Sequence, residues 1–99
     1  MKYNVKLYPR AYRDLDEIYS YIAINLAEHG TADNMITELE KAVFSLEQFP
    51  ERGSIRRIGV YSNQGYRQIF VKNYTIIYRV YKEKQEVHIV TVRYSQSRF

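Results

Sequence analysis

The sequence predicts an α+β domain in the order β-α-α-β-β-β, with a helical hairpin packed on one face of a mainly antiparallel four-stranded sheet. Three observations predict it. Alternating apolar residues open the chain, two stretches of helical spacing follow, and three β-rich runs close it. Ninety-nine residues leave room for one hydrophobic core, so residues 1–99 read as a single domain.

Tyr3, Val5 and Leu7 alternate with Asn4, Lys6 and Tyr8, the period of a half-buried strand. Pro9 ends that strand and suits the first turn of a helix. Apolar residues then recur at Tyr12, Leu15, Ile18/Tyr19, Ile22 and Leu26, and Asp14, Asp16 and Glu17 favour the positive end of the helix dipole. Gly30 reads as a stop and Thr31 as the cap of a second helix. That helix has the stripe Ala32, Met35/Ile36, Leu39, Ala42/Val43, Leu46 and Phe49, ended by Pro50. Residues 51–63 form a Gly-, Ser- and Arg-bearing loop with a short strand expected at 58–61. Runs at 66–71, 74–81 and 87–94, dominated by Tyr, Ile, Val and Thr, read as strands. Lys72-Asn73 makes a tight turn, because Asn tolerates a left-handed backbone. The hairpin's apolar stripe must bury against one sheet face, which leaves the other face open.

Composition excludes several function classes. The chain has no cysteine, hence no disulfide framework or thiolate metal site. No secretory leader is expected behind Met1-Lys2-Tyr3, and no apolar run approaches the roughly 20 residues that span a bilayer. The expectation is a soluble cytoplasmic protein without membrane attachment. Charge is sharply divided: residues 1–51 carry five Lys/Arg against nine Asp/Glu, whereas residues 52–99 carry ten against two. Such asymmetry suggests a polyanionic partner, either nucleic acid or an acidic protein segment.

Each late strand carries one inner arginine: Arg67, Arg79 and Arg93. A two-residue turn at Lys72-Asn73 puts Arg67 on the face of Tyr78, whereas a three-residue turn puts it with Arg79. An unpaired arginine beneath the hairpin is costly, which favours the open face for most of them. Arginines and tyrosines across an open sheet grip phosphates and stack on bases, or bind a carboxylate-bearing peptide. His29 falls at the hairpin tip, suited to a helix C-terminal charge role. His88 lies inside the last strand, where a packed, hydrogen-bonded ring is expected and acid–base work is the alternative. No His/Asp/Glu cluster has metal-ligand spacing, and no phosphate-binding loop or nucleophile elbow is present. No metal and no cofactor are expected.

Asp14-Leu15-Asp16-Glu17-Ile18-Tyr19-Ser20-Tyr21-Ile22 resembles the first helix of ParE-like toxins. Leu46-Glu47-Gln48-Phe49-Pro50-Glu51-Arg52-Gly53 resembles the end of their second helix and the following loop. The three closing runs resemble their last three strands, so the resemblance covers nearly the whole chain in order. It is to the RelE/ParE superfamily of type II toxin–antitoxin systems, nearer the ParE branch. It implies a toxin made beside an antitoxin, which lays a helix and an extended segment across it and holds it inactive. The superfamily includes ribosome-dependent mRNA endonucleases and DNA gyrase poisons, so fold alone does not select the target. In the endonuclease branch a basic residue matches Thr75, and an Arg or His follows the last strand near Ser95. Both positions here hold small hydroxyls.

The resemblance implies three candidate roles. A gyrase poison uses Arg67, Arg79, Arg93 and Tyr94 for target contact, assisted by Arg56 and Arg57. An mRNA endonuclease acting on the ribosome draws on Arg67, Arg79, His88, Arg93 and Tyr94, without metal. A non-toxic module binds only a peptide or the antitoxin. Tyr21, Ile24, Phe44 and Arg79 are the expected antitoxin contacts, and such exposed apolar surface favours self-association of the free chain.

Overall fold

The structure, a computed structural model, describes residues 2–99. Strand β1 (Asn4–Leu7) leads into helix α1 (Pro9–Ser20), which continues as one π-helical turn (Tyr21–Asn25). Helix α2 (His29–Ser45) returns, followed by β2 (Ser54–Ile55), β3 (Tyr66–Val71), β4 (Tyr74–Tyr81) and β5 (Glu86–Tyr94). The sheet has five strands in the order β1-β5-β4-β3-β2. β1 runs parallel to β5, and the other pairings are antiparallel.

The fifth strand is the departure from the expected sheet. It forms at Ser54–Ile55 against Arg67 and Gln68, not at 58–61, where Ile58 and Val60 are exposed. Gly53 allows this docking: a Cβ there would stand 2.4 Å from the Gln68 carbonyl oxygen. The Gly53 N–H also donates to the Tyr78 hydroxyl at 2.9 Å. Local propensity favoured 58–61, but a backbone close approach fixed the pairing earlier.

The first helix also ends differently. Ala27 takes a left-handed conformation (φ 54°), and the Glu28 N–H reaches the Ile22 carbonyl at 3.2 Å, closing the helix before Gly30. Helix α2 therefore starts at His29, with neither a Thr31 cap nor a side-chain cap bond from Glu28. His29 opens a helix instead of closing one, so its expected C-terminal charge role does not arise.

Ala11, Ile18, Ile22 and Ala23 face Ala32, Met35, Leu39, Val43 and Leu46, and all pack on Ile69, Ile76, Tyr78, Val87, Ile89 and Val92. Each fully buried aliphatic residue there contributes about 1.5–3 kcal/mol. Tyr12, Tyr19, Leu26 and Phe49, read from spacing as stripe residues, are at least partly exposed. On α1 the buried line runs through Ala11, Asp14 and Ile18, one position away from the most apolar reading. Buried Asp14 ties α1 to the sheet. It accepts from the Val92 N–H at 3.0 Å and from the Thr91 hydroxyl, and receives Arg10 Nε at 3.1 Å. β1 pairs β5 only as far as Ile89, so this carboxylate serves β5 beyond the end of β1.

Candidate functional site

Pairing of Val71 with Tyr74 shows a two-residue turn, in which Lys72 and not Asn73 takes the left-handed conformation (φ 53°). Arg67 consequently pairs with Tyr78 on the hairpin side of the sheet. Its guanidinium donates to the Gly53 carbonyl at 2.7 Å and meets the Glu51 carboxylate at 3.3 Å. Arg67 thus clips the 51–53 loop to the sheet and does not join Arg79. Tyr94, paired with Tyr74, also belongs to the hairpin side.

The opposite face carries Tyr66, Gln68 and Phe70 from β3, Thr75, Ile77 and Arg79 from β4, and Glu86, His88 and Arg93 from β5. This face is not wholly open. Ile77 is 0% exposed and Thr75 1%, although both point away from the hairpin. Thr75 lines a cavity of about 610 Å³ together with loop residues Arg56, Ile58, Gly59 and Val60 and with Ser95, Ser97, Arg98 and Phe99. The chain's own loop and the segment after β5 therefore screen the Thr75 end of the face that was expected to stand free.

At the other end, Arg79 lies between two rings, its guanidinium carbon 5.4 Å from the Tyr66 centroid and 5.5 Å from that of Tyr81. Its cross-strand partner is His88, whose ring lies tilted against Tyr81 with the centroids 4.4 Å apart. His88 Nε2 stands 3.0 Å from Glu86 Oε1, and Nδ1 stands 2.9 Å from the Tyr8 hydroxyl. With Glu86 ionised, the neutral imidazole carries its proton on Nε2 and accepts from Tyr8 at Nδ1. The His88 bond, then Lys6 at 2.9 Å, hold the Glu86 carboxyl below its usual range. Burial and the neighbouring Tyr81 push the Tyr8 phenol up, so it stays protonated at neutral pH. Tyr8, His88 and Glu86 make a proton-relay geometry that sequence reasoning missed. Tyr8 lies outside every strand, and only the parallel pairing of β1 with β5 brings it across eighty positions.

At the screened end, Arg93 Nε donates to the Thr91 hydroxyl at 2.9 Å. Thr75 and Ser95 share a hydrogen bond at 2.8 Å. Arg56 is buried, whereas Arg57 beside it is exposed.

A separate groove of about 740 Å³ lies on the hairpin side, where α1 and its π-turn diverge from the ends of β4 and β5. Ile18, Tyr21, Ile22, Leu26, Met35, Tyr74, Val92 and Tyr94 give it an apolar floor, and Arg10, Lys72 and Arg93 stand at its rim with Asp14 and Glu17. Of the expected antitoxin contacts, Tyr21 lines this groove. Ile24 and Phe44 are exposed outside it, and Arg79 is on the opposite face. Among the described residues no group of three His, Cys, Asp or Glu could hold a metal ion. No helix among them is long and apolar enough to cross a membrane.

The fold recurs in solved structures. Over 96% of this chain and 98% of the other, it is similar to a chain of the chromosomal ParDE toxin–antitoxin system of P. aeruginosa, with a TM-score of 0.78 and 22% identity. It is similar to a chain of the toxin–antitoxin complex RelBE2 of Mycobacterium tuberculosis over 95% of this chain and 92% of that one, with a TM-score of 0.71 and 21% identity. A mutant E. coli toxin RelE in the free state aligns with 97% of this chain and 86% of its own, with a TM-score of 0.67 and 18% identity. A comparison with curated proteins found no match. The family profile described as "ParE toxin of type II toxin-antitoxin system, parDE" matches residues 5–99. With a profile match over nearly its whole length, the chain belongs to the ParE toxin family of type II toxin–antitoxin systems.

Proposed function

We propose that this toxin arrests growth by binding DNA gyrase and trapping its cleaved-DNA state, without catalysis of its own. The observation that carries this reading is the Thr75–Ser95 pair. Where the endonuclease branch places basic groups, two hydroxyls bond to each other at 2.8 Å, and Thr75 is buried. Neither can stabilise a phosphate as a cation or supply a proton to a leaving group at neutral pH. Arg79, presented between Tyr66 and Tyr81, is the centre of the contact surface, with Arg93 at the screened end of the same face and exposed Arg57 contributing further charge. Arg56 supports the loop. Arg67 and Tyr94 reach a target only if it extends round to the hairpin side.

The Tyr8–His88–Glu86 relay beside Arg79 supports a second reading, cleavage of mRNA on the ribosome, with His88 and Tyr8 moving protons. One experiment separates the two. Purified toxin should abolish gyrase supercoiling and leave linear DNA, and Arg79→Ala should weaken this at least about tenfold, the loss of one charge-assisted contact. Unaffected gyrase at high toxin excess sinks the first reading. New cuts in translated frames by primer extension, lost in His88→Ala, establish the second.

A cognate antitoxin completes the proposal, and relatives in structures titled as toxin–antitoxin complexes support it. The apolar groove around Tyr21 suits the apolar side of an antitoxin helix, and the cations at its rim suit acidic residues. Ile24 and Phe44 are exposed apolar side chains outside the groove, and without the antitoxin they favour self-association. Contact with Arg79 requires an extended antitoxin segment on the other face. Either target places the protein in the cytoplasm.

A further inference from the structure

Arg56 is a buried cation held by three hydrogen bonds and two loops. Its Nε donates to the Ile58 carbonyl at 3.0 Å, one terminal nitrogen to Gln68 Oε1 at 2.7 Å, and the other to the Phe99 main-chain oxygen at 3.0 Å. The Phe99 ring lies over the same guanidinium, 4.5 Å from its carbon, and Arg93 approaches that ring at 5.6 Å. Gly59, in a left-handed conformation (φ 76°), lets the Phe99 oxygen come close: a Cβ there would lie 1.8 Å from it. One ring between two guanidiniums, one oxygen acceptor and one glycine notch together define a shaped site. Around it Ile58, Val60 and Phe70 are 68%, 70% and 61% exposed, an apolar border with nothing of this chain covering most of it.

We propose that Arg56, Gly59 and Arg93 form a recognition site for an aromatic residue of a partner protein, which Phe99 occupies in the free chain and must vacate. Phe99 is itself a peptide occupant, so it displays the ligand chemistry: a ring for the guanidiniums and a carbonyl oxygen for Arg56. A nucleotide fits less well. Nε and one terminal nitrogen of the buried Arg56 already donate to Ile58 and Gln68, so an occupant meets the guanidinium chiefly through its other terminal nitrogen, as Phe99 does. The apolar border likewise suits neighbouring side chains of a peptide. Binding at this site would also uncover the screened end of the sheet face, where Thr75 and Ser95 line the same cavity.

The test uses the full chain and a fluorescent peptide copy of residues 94–99, Tyr-Ser-Gln-Ser-Arg-Phe, ending in an amide. Phe99→Ala should bind this peptide at least about tenfold more tightly than the natural chain, because the internal competitor is held at millimolar effective concentration. Its Arg56 Nε–H resonance should shift when the ring is removed and return when peptide is added. Arg93→Ala combined with Phe99→Ala should weaken the binding, and circular dichroism checks that each variant is folded. A peptide ending in Ala should not bind. Equal binding to the natural chain and Phe99→Ala, or no binding to Phe99→Ala at millimolar peptide, overturns the proposal. So does an unmoved Arg56 resonance in Phe99→Ala. Displacement by a single-stranded oligonucleotide where the peptide fails would overturn the partner class. None of these outcomes depends on gyrase.

Discussion

Glu86 shows how one carboxylate organises a surface patch. It receives His88 Nε2 at 3.0 Å and Lys6 Nζ at 2.9 Å, which lower its pKa, the His88 bond first. A carboxyl lowered in the folded state stabilises the fold above its unfolded pKa of about 4.3 and loses that contribution as pH falls through the lowered value. Thermal melts should therefore separate the natural chain from Glu86→Gln at pH 6, and the gap should close towards pH 3. A gap independent of pH would mean that Glu86 acts by packing alone. The same carboxylate fixes the tautomer of His88 and so decides that Nδ1 faces Tyr8. The ring is packed and hydrogen-bonded, as its place inside the strand suggested, lying tilted against Tyr81 with Glu86 and Tyr8 at its two nitrogens.

Between elements, the important tie is the one from α1 to β5. Asp14 takes the Val92 N–H, the Thr91 hydroxyl and Arg10 Nε, and Thr91 in turn receives Arg93. Asp14→Ala leaves a buried N–H and a buried hydroxyl unmet and should cost about 2–4 kcal/mol in urea unfolding. Asp14→Asn keeps an oxygen acceptor and should cost less. A loss below 1 kcal/mol, roughly the value of one ordinary bond, would show that the helix is held by its apolar face only. The hairpin joint obeys a different constraint. A π-turn at Tyr21–Asn25 followed by left-handed Ala27 reverses the chain early, which swings Tyr21 and Leu26 over the ends of β4 and β5 and makes the groove.

Across the whole molecule, the two candidate surfaces lie on opposite sides of one sheet. Arg79 and His88 belong to one side, Tyr21, Tyr74 and Tyr94 to the other. Substitutions on opposite faces that share no partners should behave independently. Tyr21→Asp should weaken antitoxin capture in a co-purification while leaving growth arrest intact, and Arg79→Ala should do the reverse. Loss of both properties from Tyr21→Asp in a chain that still melts normally would show a single shared surface.

The order of the two helices and the four longer strands, the position of the turn at Lys72-Asn73 and most of the α2 stripe were legible because periodicity and turn chemistry are local properties, written within a few residues of each other. The family was legible for the same reason, since its pattern is an ordered set of such local segments. What tertiary structure alone decided depends on pairs far apart in the chain. The parallel docking of β1 against β5 assembles Tyr8 with His88, and the close approach at Gly53 creates a strand that propensity put elsewhere. The exact length of one turn sends Arg67 to the hairpin side, because shifting register by one residue exchanges the faces of a sheet. The screening of Thr75 by a loop and by the segment that ends in Phe99 has no local signal at all, since it depends on where a buried guanidinium finds its third acceptor.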